Sequence, residues 1–116
     1  KIMQNTRDRL NSYLRKNGIH KNSSITKSIG LNKKLFSKWI DFNLKLDGLT
    51  EYHLDHLVPL SSYKCKSFDE VIETKCNHWT NIIPVSPLEN LSKNARTPTI
   101  KELIKQDLRI CVFKLI

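Results

Sequence analysis

The side chains able to hold an ion or move a proton gather in one stretch of this chain. Asp55 and His56 are adjacent, and Asn90 and Lys93 are spaced one helical turn apart. These types suit phosphodiester cleavage, which needs an activated water, neutralisation of charge on the phosphate, and help for the leaving oxygen. His56 is the natural general base, since an imidazole ordinarily titrates near pH ~6.5 and a backbone acceptor can orient it. Asp55 and Asn90 are oxygen donors, which suits one hard ion such as Mg²⁺, with Mn²⁺ as a substitute. Lys93 can hold a phosphate oxygen, with Arg96 as a weaker candidate. His53 lies two residues from Asp55, on the same side of an extended chain. It is either a third ligand or substrate contact, or simply a strand residue. No organic cofactor motif is present.

The elements that must position these groups follow from patterning. Residues 52–58 alternate well enough for a strand, which Pro59 ends. A polar connection runs from Ser61 to about Thr80, with a helical turn near Phe68–Glu73. Ile82-Ile83-Pro84-Val85 reads as a second short strand, with Asn81 at its mouth. Ser86-Pro87-Leu88-Glu89 is a capping-box signature, so a helix starts there and runs to about Ala95. On it Asn90, Lys93 and Asn94 share one face, and Leu88, Leu91 and Ala95 share another that suits the core. A last amphipathic helix starts at Thr97 or Thr99, with Ile100, Leu103, Ile104, Leu108 and Cys111 as its apolar face.

The first half reads as helices. One spans about 4–16, with Leu10 and Leu14 on one face and Asn17-Gly18 ending it. A short one runs from Ser24 to Ile29, and Gly30 stops it. A third, capped by Asn32, runs from Lys33 to about Leu46 with Leu35, Phe36, Trp39, Ile40 and Phe42 as its apolar stripe. The last pair resembles a helix-turn-helix, yet an ordinary helical hairpin is the simpler reading for base readout. Phosphate contact from Lys33, Lys34 and Lys38 is expected either way.

Charge supports that expectation. Of the net charge of +9, residues 1–50 hold 11 Lys/Arg against 3 Asp/Glu, and residues 51–116 hold 9 against 8. A polyanion is the simplest partner for a basic half. No apolar run reaches the ~20 residues that span a bilayer, and no signal-peptide pattern opens the chain. The missing initiator Met suggests that the numbering begins inside a longer or processed chain. Cys65, Cys76 and Cys111 form neither an even set nor a CxxC pair, which favours buried reduced thiols in an intracellular protein. A zinc site from Cys65, Cys76 and His78 can be drawn, but it lacks the usual fourth ligand. Trp39 and Trp79 suit a core better than a base-stacking platform.

The strings His53-Leu-Asp55-His56-Leu-Val-Pro59-Leu and Asn81-Ile-Ile-Pro-Val-Ser-Pro-Leu-Glu-Asn90-Leu-Ser-Lys93 resemble the HNH endonuclease motif, the ββα-metal or His-Me finger site. The resemblance covers residues 52–96. More loosely, Gly30–Trp39 ahead of Tyr52–His56 is similar to the helical lead-in of HNH nucleases carried by phages and large DNA viruses. It implies that Asn81 tethers the long loop and that cleavage leaves 3′-hydroxyl and 5′-phosphate ends. The last His of the motif is Asn90 here, which shifts the expected metal from Zn²⁺ or Ni²⁺ toward Mg²⁺ or Mn²⁺. The expectation is therefore one α+β domain: a basic helical DNA-binding part (1–50), a ββα-metal finger (51–96) and a C-terminal helix (97–116). It would act on double-stranded DNA in the cytoplasm or nucleus of a host cell, as a monomer or homodimer, with no membrane partner. Rival readings are a non-specific toxin-type nuclease and a non-catalytic DNA-binding protein that uses the basic half.

Overall fold

The computed structural model describes residues 2–93 and 96–116, without the side chains of residues 2–6, 92 and 93. Three helices come first: α1 (Ile2–Lys16), α2 (Ile25–Ile29) and α3 (Lys33–Asp47). Gly30 and Gly48 close α2 and α3 in the left-handed region, at φ 78° and 64°, a conformation that glycine adopts without a Cβ clash. Asn32 caps α3 by accepting from the Leu35 N–H at 2.9 Å, as its position before the helix predicts.

Strands β1 (His53–His56) and β2 (Ile82–Val85) pair antiparallel, with His53 opposite Val85 and His56 opposite Ile82. β1 is shorter at both ends than the expected 52–58. Past His56 the pairing stops after one further bond, from the Leu57 N–H to the Asn81 carbonyl at 2.8 Å, and Pro59 offers no donor. Between the strands lie a 3₁₀ turn (Leu60–Ser62), α4 (Phe68–Thr74) and a second 3₁₀ turn (Trp79–Asn81). The architecture is thus α+β, a two-stranded sheet followed by α5 (Pro87–Lys93) in a ββα order, with α6 (Ile100–Leu115) last.

One core joins α1 through α4, both strands and α6. Leu10, Ile29, Phe36, Trp39, Leu54, Phe68, Val71 and Ile82 belong to a single buried cluster, so the basic half and the ββα unit are not separate domains. Trp39 is wholly buried, stacks edge-on against Trp79 at 5.0 Å, and donates its indole N–H to the Ile82 carbonyl at 2.8 Å. That bond ties α3 to β2 and satisfies the one polar atom a buried indole carries. Both tryptophans are core residues, as expected.

Two apolar faces differ from expectation. Leu88 and Leu91 on α5 are 77% and 76% exposed. Asn90 is turned onto β1, and the ~100° step between helical residues then carries both leucines away from the sheet. On α6 the stripe of Ile100, Ile104 and Leu108 faces outward, and Gln106 is the buried residue. Here polar bonds set the helix rotation. Gln106 donates to the Thr80 carbonyl at 2.7 Å, Arg109 clamps Asp47 at 2.6 and 2.9 Å and reaches Asn43, and Phe113 joins the tryptophans. The start of α6 is a reciprocal capping box, Thr99 with Glu102, which resolves the choice between Thr97 and Thr99.

Candidate active site

Asp55 and His56 leave β1 on opposite sides. His56 is buried at 5% exposure, and Asp55 is half-buried. Both nevertheless line one cleft of about 310 Å³, whose other walls come from Arg9 and Ser12 of α1 and from Ser61 of the first 3₁₀ turn. The cleft lies at the end of β1, where both sides of the strand can border it.

Arg9 forms an ion pair with Asp55, Nη1 to Oδ1 at 3.3 Å. This residue was not among the sequence candidates. Its only sequence signal was a place among the basic residues of the first half; that α1 crosses β1 is a tertiary fact.

His56 Nε2 lies 2.8 Å from Oδ1 of Asn77. The orienting acceptor on this nitrogen is a side-chain amide, rather than the expected backbone carbonyl. Asn77 is completely buried, and its Nδ2 donates to Ser28 Oγ at 2.9 Å. Asn77 was missed because it sits in a polar connection with no periodicity to mark it.

Asn81 stands where the motif resemblance implies, and its geometry is that of a loop tether. Its Oδ1 accepts from the Val58 N–H at 2.9 Å, and its Nδ2 donates to the Val58 and Cys76 carbonyls at 3.0 and 2.8 Å. One amide therefore closes both ends of the 58–76 connection.

Helix α5 brings Asn90 to β1 as its cap requires, with Ser86 Oγ accepting from the Glu89 N–H at 3.1 Å. The partner that Asn90 meets is His53, Nδ2 to Nδ1 at 3.1 Å. His53 and Asp55 are on the same side of the strand, so these three residues share one face. The side chain of Lys93 lies outside the described residues, as do Asn94 and Ala95. Arg96 does not line the Asp55–His56 cleft. It is exposed and pairs with Glu102 at 3.1 Å beside a separate cavity of about 280 Å³. Lys33, Lys34 and Lys38 are exposed on α3, so their ammonium groups are available to an anion.

Among the described residues no three of His, Cys, Asp and Glu converge on a common point. The residues drawn for a zinc site are otherwise engaged. Cys76 is buried with its Sγ 3.7 Å from the Val71 carbonyl, and burial pushes its thiol up to about 11. His78 contacts Thr80 Oγ1 through Nδ1 at 2.8 Å, and its Nε2 packs against Gly30, where a Cβ would approach within 2.7 Å. Burial, with Lys75 and Lys114 nearby, also lowers the His78 pKa. Its role is to pack the loop. The oxygen donors expected for a hard ion make different contacts: Asp55 pairs with Arg9, and Asn90 meets His53 on the Asp55 side of β1. Mg²⁺ commonly takes one or two carboxylates and keeps several waters.

No family model matches the chain, and no solved structure matches it. An uncharacterised protein of Acanthamoeba polyphaga mimivirus is 33% identical over 78 residues, covering 60% of this chain and 32% of the relative. The chain thus spans about a third of that protein's length. No helix among the described residues is long and apolar enough to cross a membrane.

Proposed function

We propose that this chain is a metal-dependent endonuclease of double-stranded DNA, of the HNH type its motif resembles. The observation that carries the reading is that Asp55 and His56 open onto one cleft, with α5 setting Asn90 on the Asp55 side of β1. His56 takes a proton from water as the water oxygen bonds to phosphorus and the P–O3′ bond breaks; O3′ departs with the bonding pair and takes a proton from solvent water, leaving 5′-phosphate and 3′-hydroxyl ends. Asp55 and Asn90, with His53 at hand, would hold Mg²⁺ or Mn²⁺. When bound, such an ion supplies the positive charge that the phosphate and leaving oxygen need. Arg9 lines the same cleft, where its guanidinium can meet a phosphate oxygen. The exposed lysines of α3 and the basic charge of residues 1–50 supply non-specific grip on the duplex. Lys93 and Arg96 remain secondary phosphate contacts in this reading. In this reading the protein acts on DNA inside a host cell, as a monomer or homodimer.

Supercoiled plasmid should be nicked or cut with Mg²⁺ or Mn²⁺, and His56→Ala should abolish cutting while DNA binding persists. Cutting that survives His56→Ala refutes the assignment of the base. The Arg9–Asp55 ion pair gives substance to the non-catalytic alternative, because a guanidinium already neutralises the carboxylate. Salt-dependent binding of DNA with no cleavage under any divalent ion would establish that alternative.

A further inference from the structure

His56 does not sit in its cleft by packing alone. Ser28, Asn77 and His56 are 2%, 0% and 5% exposed, and they form an unbroken line of short polar contacts. Ser28 Oγ is 2.6 Å from the Ile25 carbonyl, Asn77 Nδ2 is 2.9 Å from Ser28 Oγ, and Asn77 Oδ1 is 2.8 Å from His56 Nε2.

The proton positions follow from the far end of this line. A carbonyl oxygen only accepts, so the single hydroxyl proton of Ser28 goes to Ile25. Ser28 Oγ must then accept from Asn77, which places the amide nitrogen on that side. The amide oxygen is thereby turned to His56, and an oxygen there requires that His56 Nε2 carry the proton. In the neutral ring the acceptor nitrogen is then Nδ1. Reversing the Asn77 amide would set its oxygen against a hydroxyl with no proton to offer.

We propose that Ser28 and Asn77 are positioning residues that hold His56 as the Nε2–H tautomer with its ring fixed, leaving Nδ1 to accept the proton. This deepens the nuclease reading and rests on it for the role of His56, but not for the tautomer itself. It also gives the five-residue α2 a purpose, since the helix presents Ser28 to the buried amide.

Proton and ¹⁵N NMR of the intact protein tests the relay directly, at a pH where the ring is neutral. The His56 Nε2–H should appear as a hydrogen-bonded resonance that exchanges slowly with water, with Nδ1 unprotonated. Asn77→Leu should remove that resonance and lower plasmid cutting roughly 10²- to 10⁴-fold, the range general-base catalysis contributes, with affinity for DNA unchanged. Asn77→Asp keeps an acceptor facing Nε2, while Ser28 must turn its proton from Ile25 to the second carboxylate oxygen, so the resonance should persist and part of the cutting return. Ser28→Ala changes little volume and keeps the fold testable if the Asn77 variants do not fold. It should speed exchange of the same proton and lower cutting to an intermediate level. A wild-type ring protonated on Nδ1, an exchange rate unmoved by Ser28→Ala, or wild-type cutting by folded Asn77→Leu would overturn the relay. If the wild type cuts no DNA at all, the nuclease reading fails, while the NMR still decides the tautomer.

Discussion

Replacing Asn81 by Ala should be the most costly single polar substitution near the site. Its amide makes three hydrogen bonds, to the Val58 N–H, the Val58 carbonyl and the Cys76 carbonyl. The last is buried, and the two to Val58 are partly buried. Each lost bond costs about 1 kcal/mol net, and more where the orphaned partner stays away from water, so the sum is roughly 3–5 kcal/mol. A domain of this size has roughly 5–15 kcal/mol in total, so the variant should melt some 10–20 °C lower. Urea unfolding at pH 7 measures the loss. Asn81→Asp adds a signed test. Its carboxylate would face two carbonyl oxygens, which raises its folded pKa above the unfolded ~3.9. The protonated form can donate to one of those carbonyls, so this variant should be least impaired below pH ~4 and lose stability as pH rises through the raised value. An Asn81→Ala protein within about 1 kcal/mol of wild type, or an Asn81→Asp deficit that does not grow with pH, would refute the tether.

Two further outcomes follow from the ionic contacts. Arg109 hydrogen-bonds Asp47 and holds its carboxyl below the usual range. That stabilisation is therefore present above the unfolded value of ~3.9 and disappears as pH falls through the lowered one. Asp47→Asn should cost about 1 kcal/mol at pH 7, discounted for partial exposure, and the gap to wild type should close in acid unfolding curves. The His78 pKa is lowered by burial, so neutral His78 stabilises the fold above pH ~6.5, and this is lost as pH drops from there through the lowered value. Urea midpoints of wild type and His78→Gln should converge on acidification; a constant gap from pH 7 to 5 counts against the burial effect.

Much of the ββα order was legible because it rests on local chemistry. Asn32 and Ser86 cap the helices they precede, and β2 ends where the capping residue begins. The hydrogen bonds of Asn81 close the connection that the motif resemblance implied it would tether. What could not be read is which way a helix turns on its neighbours. Periodicity shows that α6 has an apolar stripe, but the clamp of Arg109 on Asp47 and the bond from Gln106 to Thr80 rotate that stripe outward. The same limit hid Arg9, Ser28 and Asn77, each of which joins the site through a contact distant in sequence. Asn90 was expected to act with Asp55 as an oxygen donor; the partner it meets in the structure is His53.

These long-range contacts alter the division of labour that the charge split implied. A basic first half that only grips DNA would leave the ββα unit chemically self-sufficient. Instead α1 contributes Arg9 to Asp55 and Ser12 to the cleft wall, and α2 contributes Ser28 to the chain of contacts behind His56. Both sides of the Asp55–His56 pair are therefore completed from the first thirty residues. A fragment holding only residues 51–116 would keep the motif but lose the ion pair at Asp55, the anchor of Asn77, and the core contacts of Leu10, Phe36 and Trp39.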